Sequence, residues 1–271
     1  MPHAPILVPV VGQTRIKPVA STVAAMRCAA NRLNSRQPQA LVIISPHSPR
    51  KAGAFGLWSG DRIYGDFGQF GAPAVILDFP NHPALVTELH AQAAQARIKT
   101  WSIPSQPVDH GALVPLWYAA EAGWAGPTVV LSLNYPGEGA LVEFGRVLFR
   151  AIMALRLRIA AIASGDMSHR LAINSPAGYE PRAGNFDREL VTCLERGEYR
   201  HLDQLDSRLK KLAAEDVVDS ALVTAAALDW AATGHEVLSY EGPFGVGYGV
   251  AVLFDSGITA VGVEKPLLAG H

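Results

Sequence analysis

Three short apolar runs constrain the fold of this chain more than any other feature of its sequence. They are residues 40–45 (ALVIIS), 128–133 (TVVLSL) and 159–164 (IAAIAS). The apolar residues in these runs are continuous instead of alternating, which is typical of strands that are buried on both faces of a sheet. Such strands need helices on both sides, so we expect helices between them.

Helices are predicted where apolar residues recur at three- and four-residue spacing. The predicted helices are 19–33, 83–96, 141–155, 187–195 and a long stretch at 202–232 that is interrupted near 213–219. We also expect an irregular excursion at 50–80 and a last pair of strands at 250–254 and 259–263. The alternation predicts an α/β fold with a central, mostly parallel or mixed sheet flanked by helices on both faces, in a single domain over residues 1–271.

Charge and composition disfavour several classes of partner. The chain has 23 Lys and Arg against 24 Asp and Glu, which gives no basic surface for nucleic acid. The longest apolar stretch, 151–163, is too short to span a bilayer and is broken by Arg156 and Arg158, and the first residues lack the basic region of a signal peptide. Cys28 and Cys193 form no CxxC pair, as is typical of a reduced compartment. We therefore expect a cytoplasmic protein without nucleic acid or membrane partners, and a homodimer as its assembly.

Two histidines follow predicted strands, where an α/β fold collects its functional groups, and we expect two more to converge with them. His47 follows the first apolar run in the string SPHSP, and His169 ends the string SGDMSH that follows the third run. His110 lies in VDHG, and His3 lies in PHAP at the start of the sequence. Ligands bind at the carboxyl ends of the strands in such sheets. Each histidine alone would be an ordinary loop residue, but the four together predict one cluster.

Imidazoles combined with one carboxylate are the ligand set of mononuclear Fe(II) sites, so the cluster needs an acidic residue. Glu241 is the best placed, because it lies in a glycine-rich stretch just before the predicted final strand. Asp109 and Asp166 could orient an imidazole, and capping or turn formation explains them equally well. Glu215 and Asp216 interrupt an apolar helical pattern, and a solvated helix face explains them better than contact with the site.

Several short strings occur in a fixed order along the chain. They are PHAP at 2–5, SPH at 45–47, DHG at 109–111, SGDMSH at 164–169 and YEGPFG at 240–245. With this ordered set the sequence resembles the subunit-B-like class III extradiol ring-cleavage dioxygenases, the family of the catalytic subunit of protocatechuate 4,5-dioxygenase, nearly from end to end. Two further strings, GDFGQFG at 65–71 and AAE at 213–215, look more like the AMMECR-associated branch of this family, which also resembles the MEMO proteins.

The resemblance implies a non-haem Fe(II) enzyme of aromatic-compound catabolism that opens a catechol-like or aminophenol-like ring with O₂. It implies that His3, His47 and Glu241 bind the iron, that His169 is the acid/base residue and that His110 hydrogen-bonds the substrate. It also implies an AMMECR-type protein as a partner. In the family a strand precedes the first histidine, whereas only Met1 and Pro2 precede His3 here. Chain ends commonly fray, so weaker metal binding is expected if the chain begins at Met1.

Other functions remain open at this point. A MEMO-type protein would use the same cleft to bind a metal or a peptide without ring cleavage. A zinc-dependent hydrolase is a further alternative, because two histidines, a glutamate and water also form a catalytic zinc site. A nucleophilic triad is disfavoured because no serine lies in a GxSxG string, and the glycines at 245–249 lack the strand and helix of a dinucleotide site.

Overall fold

The three predicted apolar runs form the centre of a five-stranded sheet. The structure, a computed structural model, describes residues 1–135 and 139–257. The strands found there are β1 (Ala40–Ser45), β2 (Ala54–Trp58), β3 (Arg62–Phe67), β4 (Ala72–Pro80), β5 (Lys99–Ile103), β6 (Thr128–Ser132), β7 (Ile159–Ala163), β8 (Glu236–Glu241) and β9 (Tyr248–Val252). The central sheet has the order β5-β2-β6-β1-β7. Its neighbouring strands are parallel except for the antiparallel pair β2 and β6, so the prediction of a mixed, mostly parallel sheet is confirmed.

Helices cover both faces of this sheet. Those in the described residues are α1 (Pro9–Gly12), α2 (Ala20–Ser35), α3 (Pro83–Gln95), α4 (His110–Glu121), α5 (Leu141–Leu155), α6 (Ala183–Arg196), α7 (Ser207–Ala213) and α8 (Val218–Ala227). Successive side chains of β1 enter opposite layers: Leu41 and Ile43 belong to the apolar cluster that contains α2 and α4, and Val42 and Ile44 belong to the cluster that contains α3, α5 and α8. This burial on both faces explains the continuous apolar pattern of β1. No helix in the described part of the chain is both long and apolar enough to cross a membrane.

The segment at 50–80 is not the irregular excursion that was predicted, because it contains β2, β3 and β4. β2 is buried along its whole length and joins the central sheet. β3 and β4 form a separate antiparallel hairpin. Ile63, Gly65 and Phe67 of β3 are buried while their neighbours are more exposed, which is the two-residue period of a strand. The glycine and aromatic content of the segment concealed that period.

The last predicted pair of strands is described only in part. β9 lies two residues earlier than the predicted strand 250–254, and it pairs with β8 in an antiparallel hairpin. The second predicted strand, 259–263, lies outside the described residues.

The topology brings two loops to one edge of the sheet. β1 and β7 are parallel neighbours, so their carboxyl ends lie side by side. The loop after β1 carries His47, and the loop after β7 carries residues 164–169. The first residue of α4 is His110. The fold therefore places three of the predicted histidines where parallel sheets bind ligands.

Candidate metal centre

Three imidazole rings converge at this edge of the sheet. The ring centroids of His3 and His47 are 4.6 Å apart, those of His47 and His110 are 4.3 Å apart, and those of His3 and His110 are 5.4 Å apart. One nitrogen from each ring lies within 4.8 Å of the other two, so the three side chains could hold a metal ion. The predicted convergence of these histidines is found in the structure.

His3 is firmly held although it lies near the first residue of the sequence. Its side chain is only 2% exposed. Its backbone N–H donates to Asp166 Oδ1 at 2.9 Å, and its Nδ1 lies 3.1 Å from Ser164 Oγ. The expected fraying is therefore not observed at His3.

The hydrogen bonds of Ser164 fix the tautomer of His3. Ser164 Oγ donates its hydrogen to the Gly111 carbonyl oxygen at 2.5 Å. The hydroxyl can therefore only accept from His3, so Nδ1 of His3 carries a hydrogen. In the neutral ring the lone pair is then on Nε2, which is the atom that faces His47. A neighbour that fixes the tautomer in this way is typical of metal-binding histidines.

Asp216 supplies a carboxylate to this cluster. Its Oδ2 lies 3.5 Å from His3 Nε2 and 3.2 Å from His47 Nε2. The backbone of Asp166 makes two hydrogen bonds with Asp216. Asp166 N donates to Asp216 Oδ1 at 2.7 Å, and Asp216 N donates to the Asp166 carbonyl oxygen at 3.2 Å. A side chain at Gly165 would place its Cβ 2.3 Å from Val217 Cα, so this close approach of the two loops requires glycine.

Glu241, the carboxylate predicted at the histidines, makes different contacts. Its Oε1 accepts hydrogen bonds from Thr22 N at 2.7 Å and from Thr22 Oγ1 at 2.6 Å. Thr22 lies in the first turn of α2, where backbone N–H groups have no partner within the helix and a negative charge is favourable. Glu241 ends β8 beside the start of α2, and its Oε1 accepts hydrogen bonds from that helix, whereas the Asp216 carboxylate contacts His3 and His47.

Glu215 and Asp216 are not on the solvated helix face that was expected. Both precede α8, and Glu215 Oε2 accepts from Val217 N at 2.8 Å and from Val218 N at 2.9 Å. Burial raises the pKa of Glu215 to about 7, although these hydrogen bonds oppose the shift. The sequence signal for this turn was the presence of two acidic residues within an apolar string, because burial of the apolar neighbours also buries the acidic residues beside them.

The charges of the cluster are strongly coupled. Burial alone would lower the pKa of His3, but the carboxylates of Asp166 and Asp216 outweigh it and raise that pKa to about 9. Burial would raise the pKa of Asp216, but hydrogen bonds from His3 and His47 hold it well below its usual value. Burial, together with the neighbouring His47 and His3, lowers the pKa of His110 to about 4. The two carboxylates therefore favour positive charge at His3, as they would favour a bound cation.

His169 lies at the margin of the cluster with one nitrogen committed. Its Nδ1 lies 2.8 Å from the carbonyl oxygen of Ala214, which can only accept, so Nδ1 carries a hydrogen. Its Nε2 lies 4.0 Å from Asp166 Oδ2. The side chain of His169 is 21% exposed. The lone pair of the neutral ring is therefore on Nε2, on the side of the ring that faces the cluster.

Asp109 fulfils the capping role that the sequence left open. Its carboxylate accepts from Ala112 N in the first turn of α4, and also from Ser45 Oγ and Ser48 Oγ, each at 2.6 Å. These two serines flank His47 in the loop after β1. Asp109 thus joins the start of α4 to that loop and holds His110 beside His47.

The donor set fits a metal ion. His3 Nε2 and His47 Nε2 are 2.9 Å apart. Two imidazole nitrogens bound to one ion at about 2.0–2.1 Å would be separated by about 3 Å. Together with the Asp216 oxygen, they form the set of two histidines and one carboxylate that non-haem Fe(II) enzymes use.

Comparisons with known proteins show the family and the fold of the chain. The family model described as the catalytic LigB subunit of aromatic ring-opening dioxygenase matches residues 1–251. The chain is 30% identical over 262 residues to Protein CA_C1420 of Clostridium acetobutylicum, and the match covers 93% of this chain but only 56% of that protein. The chain thus spans about half the length of this relative. The crystal structure of the uncharacterized protein JW3007 from Escherichia coli K12 has a similar fold, with a TM-score of 0.60 and 21% identity, covering 83% of this chain and 91% of that one.

Proposed function

We propose, because the chain belongs to the family of the catalytic LigB subunit of aromatic ring-opening dioxygenase, that it is a non-haem Fe(II)-dependent extradiol-type dioxygenase. Its substrates would be O₂ and a catechol-like or aminophenol-like ring. The observation that carries the proposal is the meeting of His3 Nε2, His47 Nε2 and Asp216 Oδ2 within 3.5 Å of one another. Family membership supports the fold and the type of chemistry, and this donor set supports iron.

In this proposal His3, His47 and Asp216 hold the iron, and Asp216 replaces Glu241 of the sequence-based prediction. Bound Fe(II) would act as a Lewis acid toward adjacent substrate oxygens and would supply the electron transfer that O₂ chemistry requires. The protein fixes the ligands beforehand: Ser164 sets the tautomer of His3, and the Asp166 backbone fixes the Asp216 carboxylate. Little reorganisation is then needed when substrate binds.

His169 is proposed as the residue that moves a proton. The Ala214 carbonyl keeps Nδ1 protonated, so Nε2 can take a proton from a substrate hydroxyl and later return it. His110 is proposed as a hydrogen-bond partner of a substrate oxygen. Because its pKa is lowered to about 4, the ring is neutral near pH 7 and offers one donor and one acceptor.

The test is reconstitution with Fe(II) under anaerobic conditions, followed by catechol, 2-aminophenol or protocatechuate in air. Yellow ring-opened products are expected, and they should require both Fe(II) and O₂. His169→Gln should keep its iron and lose roughly 100- to 10,000-fold in turnover, since that is the usual contribution of a general acid or base. His90→Gln is a matched control, because His90 is a partly buried histidine that hydrogen-bonds Thr100 of the neighbouring strand. It should turn over normally.

If protein that holds iron forms no coloured product with any of these substrates, the result would contradict ring cleavage and favour a MEMO-type binding role. The three imidazoles of His3, His47 and His110 alone are also a zinc set. Turnover with Zn(II) in the absence of O₂ would therefore favour a hydrolase. The homodimer, the AMMECR-type partner and the AMMECR-associated branch remain predictions.

A further inference from the structure

The string GDFGQFG at 65–71 is not used by the metal site, although it lies next to it. It covers the end of β3 and the 3₁₀ turn Gly68–Phe70 that leads into β4. Asp66 Oδ1 accepts from Gly68 N at 2.6 Å, and the register of the hairpin shifts between Asp66 and Phe67. Gly71 ends the turn with φ of 81°, a conformation that favours glycine. The string therefore builds a tight turn of defined shape.

The two phenylalanines of this turn lie in different environments. Phe67 is fully buried in the apolar cluster beneath the hairpin. Phe70 is only partly buried, and its ring centroid lies 5.7 Å from that of His110 at an interplanar angle of 67°. The hairpin is tied to the start of α4, because Val108 N donates to the Tyr64 carbonyl at 2.8 Å. Phe70 is thus held against His110 by backbone as well as by side-chain contacts.

Phe70 is linked to the more exposed part of the metal centre through His110. His3 is buried at the bottom of the cluster, whereas the side chain of His47 is 38% exposed. The His110 ring contacts both His47 and Phe70, whose ring centroids are 4.3 Å and 5.7 Å away. A molecule bound beside the His47 and His110 rings would therefore lie close to the aromatic ring of Phe70.

We propose that Phe70 is a specificity-determining residue that contacts the substrate and favours a planar aromatic ring over other chelating molecules. The inference rests on the proposed function for the place where substrate binds. Aromatic rings pack well against one another at centroid distances of about 4.5–7 Å. Phe70 already contacts the His110 imidazole in this range, and a substrate ring seated against His110 would meet the uncovered part of the same phenylalanine.

The test measures binding instead of turnover. Protein loaded with redox-inert Zn(II) is titrated calorimetrically with catechol, which has a ring, and with acetohydroxamate, a chelator without a ring. Phe70→Leu should weaken catechol binding roughly two- to tenfold, the value of one aromatic contact, and leave acetohydroxamate binding unchanged. Phe70→Tyr should restore the catechol affinity, because it restores the ring.

Phe67→Leu is the matched control from the same turn. It should lower the melting temperature, because Phe67 is fully buried, but it should leave the ratio of the two affinities unchanged. The proposal is overturned if Phe70→Leu weakens both probes equally, which would indicate a distorted metal site, or if it weakens neither. It is also overturned if the wild-type zinc protein does not bind catechol.

The two hypotheses fail separately. If catechol binding depends on Phe70 but the iron protein opens no ring, the specificity role stands and the dioxygenase activity does not. If the iron protein opens rings and Phe70→Leu leaves the affinity ratio unchanged, only the role of Phe70 is refuted.

Discussion

Ser164→Ala is the perturbation that most directly isolates the tautomer of His3. Ser164 is fully buried, receives the Nδ1 hydrogen of His3 and donates to the Gly111 carbonyl. Alanine keeps the volume of the β-carbon but leaves a buried imidazole N–H and a buried carbonyl without this partner. The variant should therefore affect both folding and metal binding.

The two effects have different sizes. A buried donor that loses its acceptor costs about 1–3 kcal/mol in unfolding free energy, and the Gly111 carbonyl adds to this. Loss of a group that orients a metal-binding histidine typically weakens metal affinity about 10- to 100-fold. We expect both changes in Ser164→Ala, since no other residue fixes Nδ1 in the contacts of the described residues.

Urea unfolding of the metal-free protein measures the first effect, and chelator competition with Zn(II) measures the second. Tyr199→Phe is the matched control: its buried hydroxyl also donates to a backbone carbonyl, that of Leu253, at 2.5 Å. It should lose stability and keep its metal affinity. A Ser164→Ala protein that folds and binds zinc within twofold of wild type would refute the tautomer argument.

Two further predictions concern pH. His3 has a raised pKa of about 9 in the metal-free protein, so a proton must leave before Nε2 binds a metal. The affinity for Co(II), measured by chelator competition, should therefore rise up to about tenfold per pH unit between pH about 7 and 9 and then level off. An affinity that stays flat over this range contradicts the prediction. Burial raises the pKa of Asp187, although Tyr240 Oη and Ser168 N donate hydrogen bonds to its carboxylate. The folded state therefore holds the Asp187 proton more tightly than the unfolded state does. The free energy of unfolding should then fall as pH rises from the unfolded-state pKa of about 3.9 through the raised folded-state pKa. Asp187→Asn should therefore gain stability relative to wild type, by urea unfolding, as pH rises from about 4 to 7, and a shift in the opposite direction would refute the assignment.

The sequence predicted the centre of the fold better than its periphery. The run at 40–45 coincides with β1, because a strand that is buried on both faces leaves an unbroken apolar pattern. The helix α4 was not predicted, since it is buried on nearly all sides and has no polar face to reveal its period. The hairpin of β3 and β4 was missed because glycine and aromatic residues suggested a loop, although the burial of β3 alternates.

The clustering of the histidines could be predicted, whereas the contact of Asp216 with them could not. His47 and His169 follow strands, and the edge where parallel strands end collects such side chains. Asp216 lies in the turn between α7 and α8, and only the packing of that turn against Gly165 and Asp166 brings it to the histidines. The sequence gives no measure of this long-range contact. Glu241 was preferred for its glycine-rich surroundings, but its partner is Thr22 of α2.

The metal content of Asp216→Asn compared with that of Glu241→Gln tests the central claim most directly. Both variants replace a carboxylate by an amide of the same shape, and both proteins would be reconstituted with Fe(II) and measured by elemental analysis after removal of free metal. The account predicts that Asp216→Asn loses most of its iron while Glu241→Gln retains a full complement. Iron retained by Asp216→Asn and lost from Glu241→Gln would contradict it.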